Sequence, residues 1–180
     1  METDESHQSP IIGSYLADIE NNDLLLNDLY SQERSARVEY YGIQLDEMWT
    51  FVGEKKNQQW LWLALNPANR QIVAFHVGGR GGEDAQQFYE NIPAAFKGEG
   101  GFFSDYWQAY TRVFKQENHF AVGKASGLTA YIERFNCTLR QRVARLGRKV
   151  LSFSKSQLNH IGAINYFICN FNIEMKALHL

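Results

Sequence analysis

With 180 residues, 44% hydrophobic and 14% aromatic, the chain is long enough to bury one core and too short for two comfortable domains. No apolar run approaches the roughly 20 residues of a membrane-spanning helix, and the first residues lack the basic-then-apolar pattern of a signal or transit peptide, so a cytoplasmic protein is expected. The formal net charge of −2 is near neutral but unevenly distributed.

Residues 1–36 read as an acidic helical arm, with a polar and disordered start through about Ser9. "SYLADIENNDLLLNDLY" follows a Ser14 cap at broadly helical spacing. Residues 37–180 read as one folded domain with basic C-terminal helices. "VEYYGIQLDEMWTFVG" is rich in aromatic and β-branched residues, and "GEKKNQQ" reverses the chain before "WLWLAL". "NPANR" is a second turn, and "QIVAFHVGG" a third strand, which together predict an antiparallel meander. The glycine-rich "VGGRGGED" lacks the G-K-[ST] ending of a phosphate-cradling loop and reads as a flexible turn, with Arg80 a weak candidate for phosphate. Glu83 and Asp84 then open a helix carrying Ala85, Phe88, Tyr89 and Ile92 before Pro93.

"GGFFSDYW" is a short strand ending at Asp105, and a fifth strand is expected near Phe120–Val122. Thr129 is a candidate cap for a basic helix whose apolar stripe is Ile132, Phe135, Leu139, Val143, Leu146 and Val150. "SKSQ", from Ser154 to Gln157, has the form of a capping box opening a last helix. The order β-β-β-α-β-(β)-α-α defines a mixed α/β domain with a central sheet. Cys137 and Cys169 belong to no C-x-x-C pair, which argues against zinc and for two small buried side chains. Trp60 and Trp62 are expected in the sheet core, and His76 is expected to be structural.

From Met1 to Glu33 there is no Lys or Arg, whereas Arg134, Arg140, Arg142, Arg145, Arg148, Lys149 and Lys155 follow one another with no intervening acid. A solvated helix face ordinarily interleaves both signs, so this run points to a polyanionic partner. Against it stand three acids: Asp46 in "QLDEMW", Asp105 in "FSDYW" and Glu133 in "YIERFN". Each aspartate alone reads as a turn residue. Together with the arginines, the three fit phosphodiester chemistry, where hard Mg²⁺ ions need converging carboxylates and the basic residues beyond must hold the nucleic acid.

"LDEMWTFVGEKKNQQWLWLAL", "SDYW", "YIERFNCTLRQRVARLGRK" and "LSFSKS" closely resemble the catalytic protein, or downstream reading frame, of the insertion sequence one transposase family, a DDE-type recombinase, from about Gln44 to Ile173. The resemblance implies an RNase H-like fold with Asp46, Asp105 and Glu133 as catalytic residues and metal ligands, holding two Mg²⁺ ions for which Mn²⁺ substitutes. Arg134 and Asn136 match the motif beside the glutamate, and His119 and His160 stand where family members tend to carry histidine. Arg134, Asn136, Arg140, Arg142, Arg145, Arg148, Lys149 and Trp107 are the expected DNA-binding residues. The implied activity is cleavage at the element's ends followed by 3′-hydroxyl strand transfer into target DNA, in a nucleoid-associated bacterial protein. A homo-oligomer is implied, and so is an upstream zinc-binding and helix-turn-helix portion for end recognition, whose cysteines and basic residues the acidic arm lacks. Two other readings are a nuclease without strand transfer and a catalytically idle DNA-binding regulatory remnant.

Overall fold

The computed structural model describes residues 42–98, 100–147 and 151–178; the acidic arm expected over 1–36, together with Arg148, Lys149 and Val150, lies outside the described residues. Three strands, β1 (Ile43–Phe51), β2 (Gln58–Asn66) and β3 (Gln71–Gly78), form the expected antiparallel meander. The β1–β2 reversal turns through Gly53 at φ 73°, a left-handed conformation that suits glycine. In the β2–β3 turn, Asn66 and Asn69 side-chain oxygens accept the Ala68 and Gln71 amides at 3.0 Å each.

β4 (Phe102–Ser104) and β5 (His119–Ala121) complete a sheet of order β3-β2-β1-β4-β5, with β4 parallel to β1 and β5 parallel to β4. Among the described residues four α-helices flank it: α1 (Gly82–Asn91), α2 (Gln108–Val113), α3 (Ala130–Arg142) and α4 (Gln157–Leu178). Because strand side chains alternate, β1 and β2 are apolar on both faces. Ile43, Leu45, Trp62 and Ala64 pack with Phe88 of α1, Tyr110 of α2 and Phe114. Met48, Leu61, Leu63 and Leu65 pack on the other face with Ile132, Phe135 and Leu139 of α3 and Ile164 and Ile168 of α4.

Several local expectations are corrected. α3 stops at Arg142 rather than running to Val150: Val143 is extended, and Ala144–Leu146 form a single 3₁₀ turn that still buries Leu146. Val143 is β-branched, and the surrounding arginines offer one another no opposite charge along the helix. Thr129 precedes α3 but makes no side-chain cap bond to its backbone. The start of α4 is held by Ser156, whose hydroxyl accepts the Asn159 amide at 3.3 Å, while Ser154 turns inward. Cys137 is exposed and Cys169 half-buried, so neither is a core residue. α2 is absent from the expected order; at six residues it is too short to impose a helical period on the sequence. Among the described residues no helix is long and apolar enough to cross a membrane.

Candidate active site

Asp46 lies in the middle of β1 on the face covered by α3. The start of α3 is set against that strand by buried Gln44, whose Oε1 accepts the Ile132 amide at 3.0 Å, one of the first-turn donors that has no partner within the helix. Asn136, one turn further along, donates from Nδ2 to Asp46 Oδ2 at 2.7 Å, and the Glu47 amide donates to Asp46 Oδ1 at 2.9 Å. Asn136 was expected at the DNA; it is instead buried beneath the carboxylate, and its Oδ1 has no hydrogen-bond partner among the described residues.

Asp105 follows the last residue of β4. The parallel register ends at Gln44–Phe103, two residues before each acid, and Asp105, just past β4, is near enough for its carboxylate to act on Asp46. Asp105 Oδ1 accepts the Trp107 amide at 2.9 Å, a local turn that leads into α2. Glu133 lies in the first turn of α3, three residues before Asn136 and therefore on the same side of the helix. Its Oε1 accepts the Thr129 hydroxyl at 2.9 Å.

Burial raises the Asp46 carboxyl to about 7, with the neighbouring Glu47 and then Asp105 carboxylates adding repulsion against the Glu47 amide and Asn136 bonds. Asp46 and Asp105 are thus brought together. The full set of three does not close up: among the described residues no three His, Cys, Asp or Glu side chains converge closely enough to hold a metal ion. The donor set nevertheless suits a hard divalent cation, because two oxygen ligands that repel each other are stabilised by one, and the buried Asn136 is available to steer Asp46.

The residue after Asp46 points the other way. The Glu47 side chain is 2% exposed and is held by Arg80, whose Nε and Nη2 donate to its Oε1 at 3.1 and 2.5 Å. The Tyr110 hydroxyl donates to Glu47 Oε2 at 2.9 Å. Burial raises the Glu47 carboxyl and the Arg80 bonds oppose that rise; the buried Tyr110 hydroxyl is pushed well above its usual range. The Arg80 guanidinium lies over Trp60 at 4.1 Å and over Trp107 at 3.8 Å. Sequence reading did not find this assembly. The signal available was strand alternation, which sends Asp46 and Glu47 to opposite faces, so that a second acid is buried and needs its own cation.

"VGGRGGED" is a pinned turn rather than a loose one. The Trp62 indole donates to Gly79 O at 2.9 Å, and the Gly79 amide donates to Asp84 Oδ1 at 2.7 Å. His76 bonds the same Asp84 oxygen at 3.2 Å, a structural role. A Cβ on Gly78 would sit 2.1 Å from Asp84 Oδ1, which is why the turn begins with glycine.

The arginines divide. Arg134, Arg142 and Arg145 are exposed, and Arg142 pairs with Glu174 of α4 at 3.2 Å. Arg140 is half-buried, with Nη2 donating to Trp49 O at 3.2 Å. Trp107 is half-buried against Arg80, and its indole N–H is buried without a partner among the described residues. His119 bonds the Ser104 hydroxyl at 2.8 Å, and His160 bridges Ser154 at 2.9 Å and Thr50 at 3.3 Å; burial lowers both imidazoles.

A meander followed by parallel β4 and β5, with helices on both faces, one carboxylate on central β1 and another just past the end of its neighbour β4, defines an RNase H-like fold. The chain is similar in fold to the crystal structure of the catalytic domain of Mos1 mariner transposase, with a TM-score of 0.53 over 88% of this chain and 85% of that one, at 12% identity. The sequence narrows the class: the profile of the family described as IS1 transposase matches residues 41–174, and the chain belongs to that family. It is 38% identical to insertion element iso-IS1n protein InsB of Shigella dysenteriae over 69% of this chain and 92% of that protein. It is 35% identical to insertion element IS1 4 protein InsB of Escherichia coli K12 over 69% of this chain and 72% of that protein.

Proposed function

We propose that the chain is a metal-dependent DNA transposase of the DDE type, cleaving DNA at the ends of an insertion sequence and joining the resulting 3′-hydroxyls to target DNA. The observation that carries this reading is the pair Asp46, in β1, and Asp105, just past the end of the parallel neighbour β4, with the Asp46 carboxyl raised to about 7 chiefly by burial and further by the Glu47 and Asp105 carboxylates. Family membership supports the substrate. Asp46, Asp105 and Glu133 would hold Mg²⁺, with Mn²⁺ as a substitute. Two such ions, when bound, activate the attacking oxygen and relieve charge on the leaving oxygen.

The chain's own residues prepare that chemistry. Asn136 fixes the direction of Asp46 through one carboxylate oxygen while the Glu47 amide holds the other. Thr129 donates its hydroxyl to Glu133 and so holds that carboxylate at the head of α3, where it would contribute to the metal site. Exposed Arg134, Arg142 and Arg145 supply the charge that holds the duplex against a carboxylate-rich site, a term that does not depend on base sequence. No covalent protein–DNA intermediate is required, so neither Ser104 nor Tyr106 is assigned as a nucleophile. Strand-transfer assemblies act on two ends at once, which calls for more than one copy of the chain. Recognition of those ends is assigned to an upstream zinc-binding and helix-turn-helix portion.

The test is Mg²⁺-dependent cleavage and joining of a DNA fragment bearing the element's ends, with the chain and its Glu133→Gln variant, each assayed with and without the upstream portion. Joined products that vanish in the variant support the reading. Cleavage without joining would make the chain a nuclease, and DNA binding with no metal-dependent chemistry would make it a regulatory remnant.

A further inference from the structure

We propose that Arg80 is a positioning residue for the two aspartates, clamping β1 to the start of α2 from the face of the sheet opposite the carboxylates. The inference rests on the assignment of Asp46 and Asp105 as metal-holding residues. Arg80 touches neither of them. Through Glu47 it holds the residue directly after Asp46, and through the Trp107 ring it holds the residue whose amide bonds Asp105. Asp46 lies in β1 and Asp105 just past β4, strands paired through only Ile43–Phe102 and Gln44–Phe103, and that pairing ends before either acid is reached. Beyond those pairs, the Glu47–Arg80–Trp107 chain ties together the segments that carry them.

The clamp is built rather than incidental. The backbone of the turn that presents Arg80 is fixed on both sides, by the Trp62 indole on Gly79 O and by Asp84 on the Gly79 amide. Gly78 and Gly79 admit Asp84 so closely that a Cβ at either would lie 2.1 or 2.7 Å from its carboxylate. The guanidinium is stacked between Trp60 of β2 and Trp107, a position that needs a planar cation, and Tyr110 takes the remaining oxygen of Glu47. A lysine would retain the charge opposite Glu47 and lose the flat surface that presses on Trp107. The side chain is 35% exposed, so a direct role at DNA is the alternative the experiment must separate.

The experiment compares wild type with Arg80→Lys, Trp107→Leu and Asp46→Asn. It measures Mn²⁺ affinity by electron paramagnetic resonance, kcat and DNA KM for strand transfer, and thermal stability. The expected result is a loss of roughly 10–100-fold in Mn²⁺ affinity or kcat for both Arg80→Lys and Trp107→Leu, the range seen when the support of a metal ligand is removed. DNA KM stays unchanged and the Arg80→Lys variant remains folded. Unchanged Mn²⁺ affinity with a raised DNA KM in Arg80→Lys would overturn the clamp in favour of a DNA contact. Losses that merely track unfolding would overturn it in favour of plain scaffolding. If Asp46→Asn binds Mn²⁺ as wild type does, the metal assignment itself fails and the clamp with it; if only Arg80→Lys behaves as wild type, the clamp alone fails.

Discussion

Replacing Asp46 with asparagine should stabilise the metal-free protein at neutral and alkaline pH, although it removes a residue proposed to be essential. The Asp46 carboxyl is raised from 3.8 to about 7, chiefly by burial and secondly by Glu47. A raised carboxyl means that the folded chain holds a proton the unfolded chain has released. Stability is therefore undiminished below the unfolded value, falls as pH climbs through the window from about 4 to about 7, and carries the full penalty above it. The gap of about 3 pH units corresponds to ~4 kcal/mol as a ceiling. Asparagine keeps the shape, has no charge to desolvate, and can exchange hydrogen bonds with Asn136, whose Oδ1 is unpartnered among the described residues. At pH 8 the variant should exceed wild type by up to roughly 8–16 °C in Tm, at about 2–4 °C per kcal/mol for a chain of this size. At pH 5 only about 1.2 units of the window have been crossed, and the gain should shrink to ~1.6 kcal/mol. Scanning calorimetry at both pH values in chelator decides it, and Mg²⁺ should then raise the Tm of wild type while leaving the variant unmoved. A variant no more stable than wild type at pH 8, or one whose gain is the same at pH 5, would refute the account of a strained, cation-seeking carboxylate.

Gly78→Ala should destabilise the domain by about 1–3 kcal/mol, the usual cost of overpacking, because its Cβ meets Asp84 Oδ1 at 2.1 Å; urea denaturation measures it. Arg134→Ala and Arg145→Ala, both at exposed positions, should each weaken DNA binding uniformly across sequences and lower the salt dependence by about one counterion, as read by fluorescence anisotropy against salt. Ser154→Ala should cost about 1–3 kcal/mol, since it leaves His160 Nδ1 buried without its 2.9 Å partner at the junction of β1 and α4. Thermal unfolding with DNA binding as a control separates that loss from any effect on substrate.

The meander was legible because its strands carry the residues that suit a pleated, doubly covered surface, and because "GEKKNQQ" and "NPANR" name their own turns. Both aspartates were legible as acids in or leaving apolar strands. The end of α3 was not: Val143 and Leu146 keep the apolar spacing of a helix even though the backbone has left it, since a 3₁₀ turn returns Leu146 to the same core. A hydrophobic period reports which residues are buried, and the geometry that buries them can change beneath it. Thr129 and Ser154 mislead for a related reason. A hydroxyl before a helix can serve the backbone or a neighbouring side chain, and here Thr129 serves Glu133 and Ser154 serves His160.

The pair Asp46–Glu47 shows what a sequence reading of active sites tends to pass over. Two adjacent acids on a strand cannot share a site, since alternation sends them to opposite faces. With helices covering both faces, each buried carboxylate must find its own counter-charge or stay protonated. Glu47 finds Arg80, and this can be inferred once the faces are known: β3 ends beside β2, so the turn after it delivers Arg80 between Trp60 and Trp107. Asp46 finds two uncharged donors, the Asn136 side chain and the Glu47 amide, together with the repulsion of Glu47 and then of Asp105. The asymmetry between the two faces agrees with the site proposed on the Asp46 side. Where the chain supplies its own arginine the buried acid is paired, and where the described residues supply none the carboxyl is left for a cation such as the proposed site would bind.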